Sequence, residues 1–427
     1  MLRPSSIVWL LTLAAATAEA TLRIAPAQDD LRDTVTMTNG RILRGRVATP
    51  YAGGEVVVMQ GGKRVRAPRA KVANVELVAD RVEEFFVRRQ RHKNSPRALR
   101  YLVDWAASKD LQELARLQAL ELVLLDDTDD EMHEAAGHRR RGKNGEWRWL
   151  YGKKWIKQDQ LVKAMLEKPL RLPGERFALT CDAGLLTNVR ALLDLERLGV
   201  AFFKEFGRDL QLKEVLKRIE IRTFRNIDEF PKWGFRARPY FEPPPHADLG
   251  RTFYSGPAPT RPEDLFFIGT QGLLYRTMIG EVSQQNSRDR ACAWLEVGLG
   301  MHMQMRMQGD AGFASPAAKD KLDLRAISAL NRDYRLTHVV HLPMYGSFYL
   351  TDDLATSTNW SASAMFVTWL LDDGKQPKTR APFLRYVRAA LAGRKGDSSS
   401  VFDKIMGTRI EELDEPWRDW LYKLSRK

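Results

Sequence analysis

The sequence predicts an α+β chain made of a small N-terminal β-barrel, a short helical segment and a large C-terminal α+β domain. Three observations carry this. Glycine-punctuated stretches of strand character fill residues 33 to 76, and apolar residues then recur at helical spacing from 81 to about 138. Beyond residue 172, strand-like runs give way to long helical ones in what reads as one unit. A length of 427 residues leaves room for two or three domains, each with a core of its own. A hydrophobic fraction of 44% and eleven Trp mark a folded chain rather than a disordered one.

The first twenty residues read as an export signal. Arg3 supplies a positive start, Ile7 to Ala15 an apolar run, and Ala16, Ala18 and Ala20 the small residues a signal peptidase needs. An apolar run of roughly ten residues is too short to span a bilayer. The expectation is therefore a signal peptide over 1–20, no membrane span in the mature chain, and a periplasmic or secreted location. The formal net charge of +14 favours acidic partners. That excess is spread along the chain, with only short runs at His138 to Lys143 and Tyr151 to Lys157, so no nucleic-acid partner is predicted. In an oxidising compartment Cys181 and Cys292 are a possible disulfide, with two buried thiols as the alternative.

Within 31–78, Val35-Thr36-Met37 and Ile42-Leu43 flank Thr38-Asn39-Gly40-Arg41, and Asn-Gly is a strong hairpin signal. Glycines at 45, 53, 54, 61 and 62 punctuate further strands, which gives the expectation of an SH3-like or Sm-like barrel. The segment 81–140 is helical. Val82, Phe85 and Phe86 share a face, Leu111 to Leu125 has a helical period, and Asp126 to Asp130 caps a short following helix. Paired short helices of this kind resemble a tetratricopeptide-like unit. Residues 141–170 hold an aromatic hairpin around Tyr151-Gly152, whose Trp cluster reads as a packing staple. From 172 to 427 strands are expected at 177–181 and 218–224. Helices are expected at 183–206, 227–233, 265–280, 289–308, 361–373, 380–392 and 410–424.

Two motifs stand out in this last part. One helix reads Ala293-Trp294-Leu295-Glu296-Val297-Gly298-Leu299-Gly300, and an earlier one reads Phe267-Ile268-Gly269-Thr270-Gln271-Gly272-Leu273-Leu274. Together they resemble the gluzincin zinc metallopeptidases, in particular the peptidase-MA-like domain, over residues 172 to 425. That resemblance implies a His-Glu-x-x-His helix whose two His bind zinc while the Glu acts as base, and a third ligand from Trp-Leu-x-Glu-Gly-Leu. Here Phe267, Ile268 and Gln271 stand where His, Glu and His belong, and Val297 stands in place of the ligand Glu. Glu296 falls one residue early, which on a helix turns it about 100° from the expected metal direction. The expectation is a degenerate peptidase domain with no zinc and no other cofactor.

Other residues offer little to rebuild a site. His133 and His138 sit at i, i+5, which places their rings on different faces of a helix. His338 and His341 point to opposite faces if Val339-Val340 mark a strand. The alternating Met301, Met303, Met305 and Met307 would face different ways on a helix, so gap-filling is favoured over copper binding. The leading reading is an exported, non-catalytic binding or scaffold protein with an unknown protein or peptide partner. Its expected cleft is lined by Tyr275, Glu281, Glu296 and His302. A second reading, a hydrolase with a rearranged site, depends on whether Glu281, Glu296 and His302 converge. A third has the N-terminal parts do the binding.

Overall fold

Period-two alternation builds the N-terminal sheet. Strands β2 (Asp33–Met37), β3 (Ile42–Val47), β4 (Glu55–Gln60), β5 (Lys63–Pro68) and β6 (Val72–Glu76) pair antiparallel in the order β5-β4-β3-β2-β6. The computed structural model describes residues 20–21, 33–51, 53–93, 95–142, 144–182, 184–225, 228–230, 239–242, 248–253, 262–279, 293–307, 335–342, 348, 353–372, 377–391 and 398–426. The signal-like residues 1–19 lie outside these. In the sheet, Val35, Leu43, Val47, Val56, Val58 and Ala67 form a small core of their own. The predicted hairpin turn is present: Gly40 takes φ 81°, and Asn39 Oδ1 accepts from the Arg41 amide at 3.1 Å.

The expected closed barrel is not found among the described residues. β5 and β6 stand at opposite edges of the sheet. Pairing of β3 with β4 is confined to Arg46–Met59 and Val47–Val58, and the β2–β6 register shifts at Thr36/Met37. So short a ladder does not carry the sheet round to closure.

The helical segment comprises α1 (Val78–Arg91), α2 (Pro96–Ser108), α3 (Gln112–Leu125) and α4 (Asp130–Ala135). Ser95 caps α2 by accepting from the Ala98 amide at 3.3 Å, and Asp129 caps α4 by accepting from Met132 at 3.1 Å. A three-stranded sheet follows, β7 (Arg139–Arg141), β8 (Glu146–Tyr151) and β9 (Lys154–Ile156), and then α5 (Gln158–Glu167). Trp149 is buried, while the guanidinium of Arg140 lies 5.0 Å from the Trp147 ring and that of Arg139 lies 5.3 Å from Trp155. The chain's own arginines therefore cover these rings.

The last part is organised on a six-stranded sheet. Its strands are β1 (Ala20–Thr21), β10 (Leu170–Pro173), β11 (Phe177–Cys181), β12 (Ile219–Phe224), β13 (Tyr240–Glu242) and β14 (Leu249–Phe253), in the order β1-β10-β11-β12-β14-β13. β11 and β12 are parallel, which demands a crossover, and α6 (Leu185–Phe206) supplies it. α7 (Pro262–Leu274) continues into a π-helical turn (Tyr275–Ile279) and lies against the sheet, α6 and α8 (Ala293–Met307). The remaining helices are α9 (Leu336–Val339), α10 (Asp353–Leu371), α11 (Pro377–Leu391), α12 (Ser398–Met406) and α13 (Ile410–Ser425). His338 thus stands on a helical turn rather than on a strand. Most of the short helix expected at 227–233 lies outside the described residues.

One continuous core runs from Val82 to Leu421 and is shared by the helical segment and the C-terminal part; Tyr51, between β3 and β4, packs against it, while the strands of the N-terminal sheet keep a small core of their own. Arg89 and Arg190 both bond Glu121, at 2.7 and 2.9 Å, and so join α1, α3 and α6. No helix among the described residues is long and apolar enough to cross a membrane.

Helix α8 meets α10 at Gly298, where an added Cβ would fall 2.7 Å from the Ser363 carbonyl oxygen. A backbone atom cannot give way as a flexible side chain can. Gly298→Ala should therefore destabilise the protein by about 1–3 kcal/mol through overpacking. Gly53→Ala, which meets nothing within 4 Å, should stay within about 0.5 kcal/mol. Urea unfolding of the two variants checks this.

Candidate functional site

Of the residues that stand where zinc ligands and base were expected, Phe267 and Gln271 lie in a packed helix–helix seam. Phe267, Gln271 and Tyr275 are spaced four apart and share a stripe on α7 and its continuation. The Phe267 ring lies on α8 at Gly300, where a Cβ would come within 2.7 Å of Phe267 Cδ2. Its other side meets Trp360, with ring centroids 4.7 Å apart. Tyr275 donates its hydroxyl to Glu296 Oε2 at 3.3 Å. These two contacts make α7 and α8 antiparallel and put Gln271 midway along the seam. Ile268 turns to the sheet and fills the space beside Gly250. Phe267, Ile268, Gln271 and Val297 are all buried.

The orientation of Glu296 differs from the sequence expectation. Gly298 sets α8 against α10 and Gly300 sets it against Phe267, and this fixes the rotation of the helix. The face turned to α7 then carries Glu296 and Gly300, while Val297 lies about 100° round. One carboxylate therefore does face α7. Zinc needs three or four N, O or S ligands. Glu296 and Gln271 alone, beside Phe267, Ile268 and Val297, do not fit it. Among the described residues no group of three His, Cys, Asp or Glu side chains is placed to hold a metal ion. The Gln271 side-chain oxygen has no hydrogen-bond partner among the described residues.

Of the expected cleft residues, Tyr275 and Glu296 are brought together and His302 is not. His302 stands six positions beyond Glu296, about 240° round the helix. Its Nδ1 lies 3.1 Å from Thr368 Oγ1 on α10. Burial, helped by Arg306 and Arg380, pushes the His302 pKa down to about 3, which keeps the ring neutral. Glu281 lies outside the described residues. Cys181 is a free thiol inside β11 whose pKa burial drives up, and Cys292 lies outside the described residues. The four methionines of α8 are buried and fill space between helices.

The chain matches no protein-family model. It also matches no curated protein.

His133 and His138 behave differently from their spacing. Helix α4 ends at Ala135, Gly137 turns the chain at φ 85°, and the two rings meet with Nδ1 atoms 2.8 Å apart. His133 Nε2 donates to the Asp127 carbonyl at 2.9 Å, so in neutral rings His138 Nδ1 donates to His133. His133 stacks on Trp147 and His138 packs on Trp149. Burial, then the neighbouring His133 and Arg116, lower the His138 pKa to about 3. The pair is a sealed structural contact.

A buried ionic junction joins the three parts of the chain, and no motif announced it. Its centre is the β10–β11 turn, Gly174-Glu175-Arg176. Glu196, on α6, accepts from the Arg176 and Phe177 amides at 2.8 and 2.9 Å. Arg176 Nε donates to Glu214 at 3.0 Å, and the Glu214 amide donates to the Ala48 carbonyl at 3.0 Å, reaching the N-terminal sheet. Arg218 binds the Gly174 carbonyl at 2.5 Å and Glu113 of α3 at 3.2 Å. Asp33 accepts from Val47 at 2.6 Å and Val78 at 2.7 Å. A cavity of about 30 Å³, lined by Asp33, Arg46, Glu175, Arg176 and Glu214 among others, lies at the centre. The sequence did hold one signal: Glu196 interrupts the apolar stripe that Leu192, Leu195 and Gly199 continue.

Glu175 is buried, with neither carboxyl oxygen hydrogen-bonded among the described residues. Desolvation, reinforced by Glu196 and Glu113, pushes its pKa up to about 8 from 4.5. The folded protein therefore holds a proton there that the unfolded chain has released, and stability falls as pH rises from about 4.5 to 8. Below about 6.5 the depressed His138 and His302 act in the opposite sense, since the unfolded chain then binds more protons. Between pH 6.5 and 8 Glu175 dominates. The melting temperature of the wild type should fall across that window, and Glu175→Gln should flatten the slope. Calorimetry at several pH values checks both.

Proposed function

We propose that the chain is a non-catalytic pseudopeptidase of the cell envelope, exported by its N-terminal signal and acting as a binding or scaffold protein. One observation carries this reading. The positions that the gluzincin-like motif reserves for ligands and base hold buried side chains built into the packing around α7 and α8. Phe267 lies against Gly300 and Trp360, and Ile268 lies beside Gly250 on the sheet. A water held among such groups has no reason to ionise at neutral pH. Packing of that kind supports selection for a folded frame rather than for hydrolysis.

The junction around Glu196 supports the scaffold part of the reading, because it links the sheet, the helical segment and the C-terminal part. The hydrolase alternative draws on Glu281, Glu296 and His302, of which Glu281 lies outside the described residues and Glu296 and His302 can be compared. Their separation round α8, and the engagement of His302 with Thr368, weigh against it.

The reading is tested by metal content. Mature protein purified without added metal should carry less than about a tenth of an equivalent of zinc by plasma mass spectrometry. Titrated Zn²⁺ should bind no more tightly than about micromolar, far weaker than a structural site. Near-stoichiometric zinc, lost in Glu296→Ala or His302→Ala, would overturn the reading and make the chain a metallopeptidase with a rearranged site.

A further inference from the structure

Among the described residues, the outer face of the N-terminal sheet does not lie against the rest of the chain along its whole length. Val57 and Met59 of β4 sit directly opposite Arg66 and Arg64 of β5, so one sheet face carries an apolar strip beside a cationic one. Across from it run Lys213 to Lys217 and the start of the π-helical turn. Between the two lies a groove of about 360 Å³, within the size range of ligand sites. Its floor is apolar, with Ala48, Val57, Met59, Leu216 and Tyr275, and Leu216 is 44% exposed.

The charges of the groove are one-sided. Arg64, Arg66, Lys213, Lys217 and Arg276 line it against a single acid, Glu214. That acid is already bonded to the buried Arg176, and Asp248 takes up Lys217 and Arg276. Among the described residues Arg66 has a distant, exposed contact of 3.7 Å with Glu55. Arg64 and Lys213 face solvent and have no acidic partner among the described residues. The groove thus presents uncompensated positive charge next to exposed apolar surface.

We propose that this groove binds an extended acidic peptide segment, with apolar side chains on the β4 strip and carboxylates toward Arg64, Arg66 and Lys213. The proposal deepens the binding-protein reading and rests on it. A peptide fits better than the other polyanions. Walls on two sides exclude a flat membrane surface. Nucleic-acid bases need exposed aromatic faces to stack on, and the one aromatic ring here, Tyr275, is buried against Phe241 with its hydroxyl on Glu296. An extended chain alternates its side chains to two sides, which suits paired apolar and cationic strips.

The test uses the full mature chain and three labelled heptapeptides, alternating Leu with Glu, with Lys or with Ser, followed by fluorescence polarisation. The Glu peptide should bind at least about tenfold more tightly than the others, and more weakly at high salt. The double variant R64E/K213E should lose that binding at least about tenfold, and Leu216→Asp should weaken it. All three positions are exposed, so an unchanged melting temperature verifies the fold. If the Glu peptide binds equally well to the variants, the groove is the wrong place and the binding-protein reading survives. If all three peptides bind alike, the acidic preference is wrong. If none binds, the groove and the peptide-binding reading fall together. Binding of anionic phospholipid vesicles in place of peptide, lost in R64E/K213E, would replace the peptide by a membrane.

Discussion

One carboxylate holds the architecture together. Glu196 comes from the apolar face of α6 and caps two consecutive amides of the β10–β11 turn, so the crossover helix and the hairpin are fixed to each other. The close approach depends on Gly174, because a Cβ there would fall 2.5 Å from the Glu196 oxygen. With the turn held in this way, Arg176 reaches Glu214 and through it the N-terminal sheet. Arg218 reaches the same turn and α3. Neutralising charges inside a core is rarely a net gain over apolar packing. What the junction supplies is a defined relation between segments that would otherwise meet only through non-directional contacts. Removing a single member would leave a buried partner uncompensated, so the set is held as a whole.

Much of the local structure was legible in the sequence. The Asn39-Gly40 turn signal, the Leu-rich α3 and the apolar runs of α6 and α13 each show within a short window, and the helices begin and end close to where their apolar runs do. Features that depend on distant partners were not legible. Barrel closure turned on whether β5 would find β6. The meeting of His133 with His138 turned on where α4 stopped and on Gly137. Glu296 faces α7 because two glycines set the rotation of α8, and the spacing of the motif carries no record of that rotation. Glu175 and Arg176 follow Pro-Gly and look like an exposed turn. Only the fold shows that three segments close over them.

The α7–α8 seam shows how a catalytic frame and a packing frame place different demands on the same positions. A zinc helix needs polar atoms on the face where two helices approach, and these cost stability unless a metal satisfies them. In this chain that face carries a phenyl ring against a glycine, a tyrosine hydroxyl on a carboxylate and one amide. Of these polar groups the tyrosine and the carboxylate bond each other, and the Gln271 oxygen has no partner among the described residues. The glycines of α8 serve the same end, since they let helices on both sides come close. The groove on the N-terminal sheet has the opposite character, with Arg64 and Lys213 exposed beside apolar surface and without an acidic partner among the described residues.

Cys181 lies in β11, the strand gripped on one side by β10 and on the other by β12, and it is fully enclosed. Disfavoured ionisation and burial both withhold its sulfur from reagents. Alkylation at this residue therefore needs the core around β11 to open. The thiol is a built-in clock for the opening of the most deeply enclosed strand, read out by mass spectrometry of one peptide and independent of whatever the surface of the protein is doing.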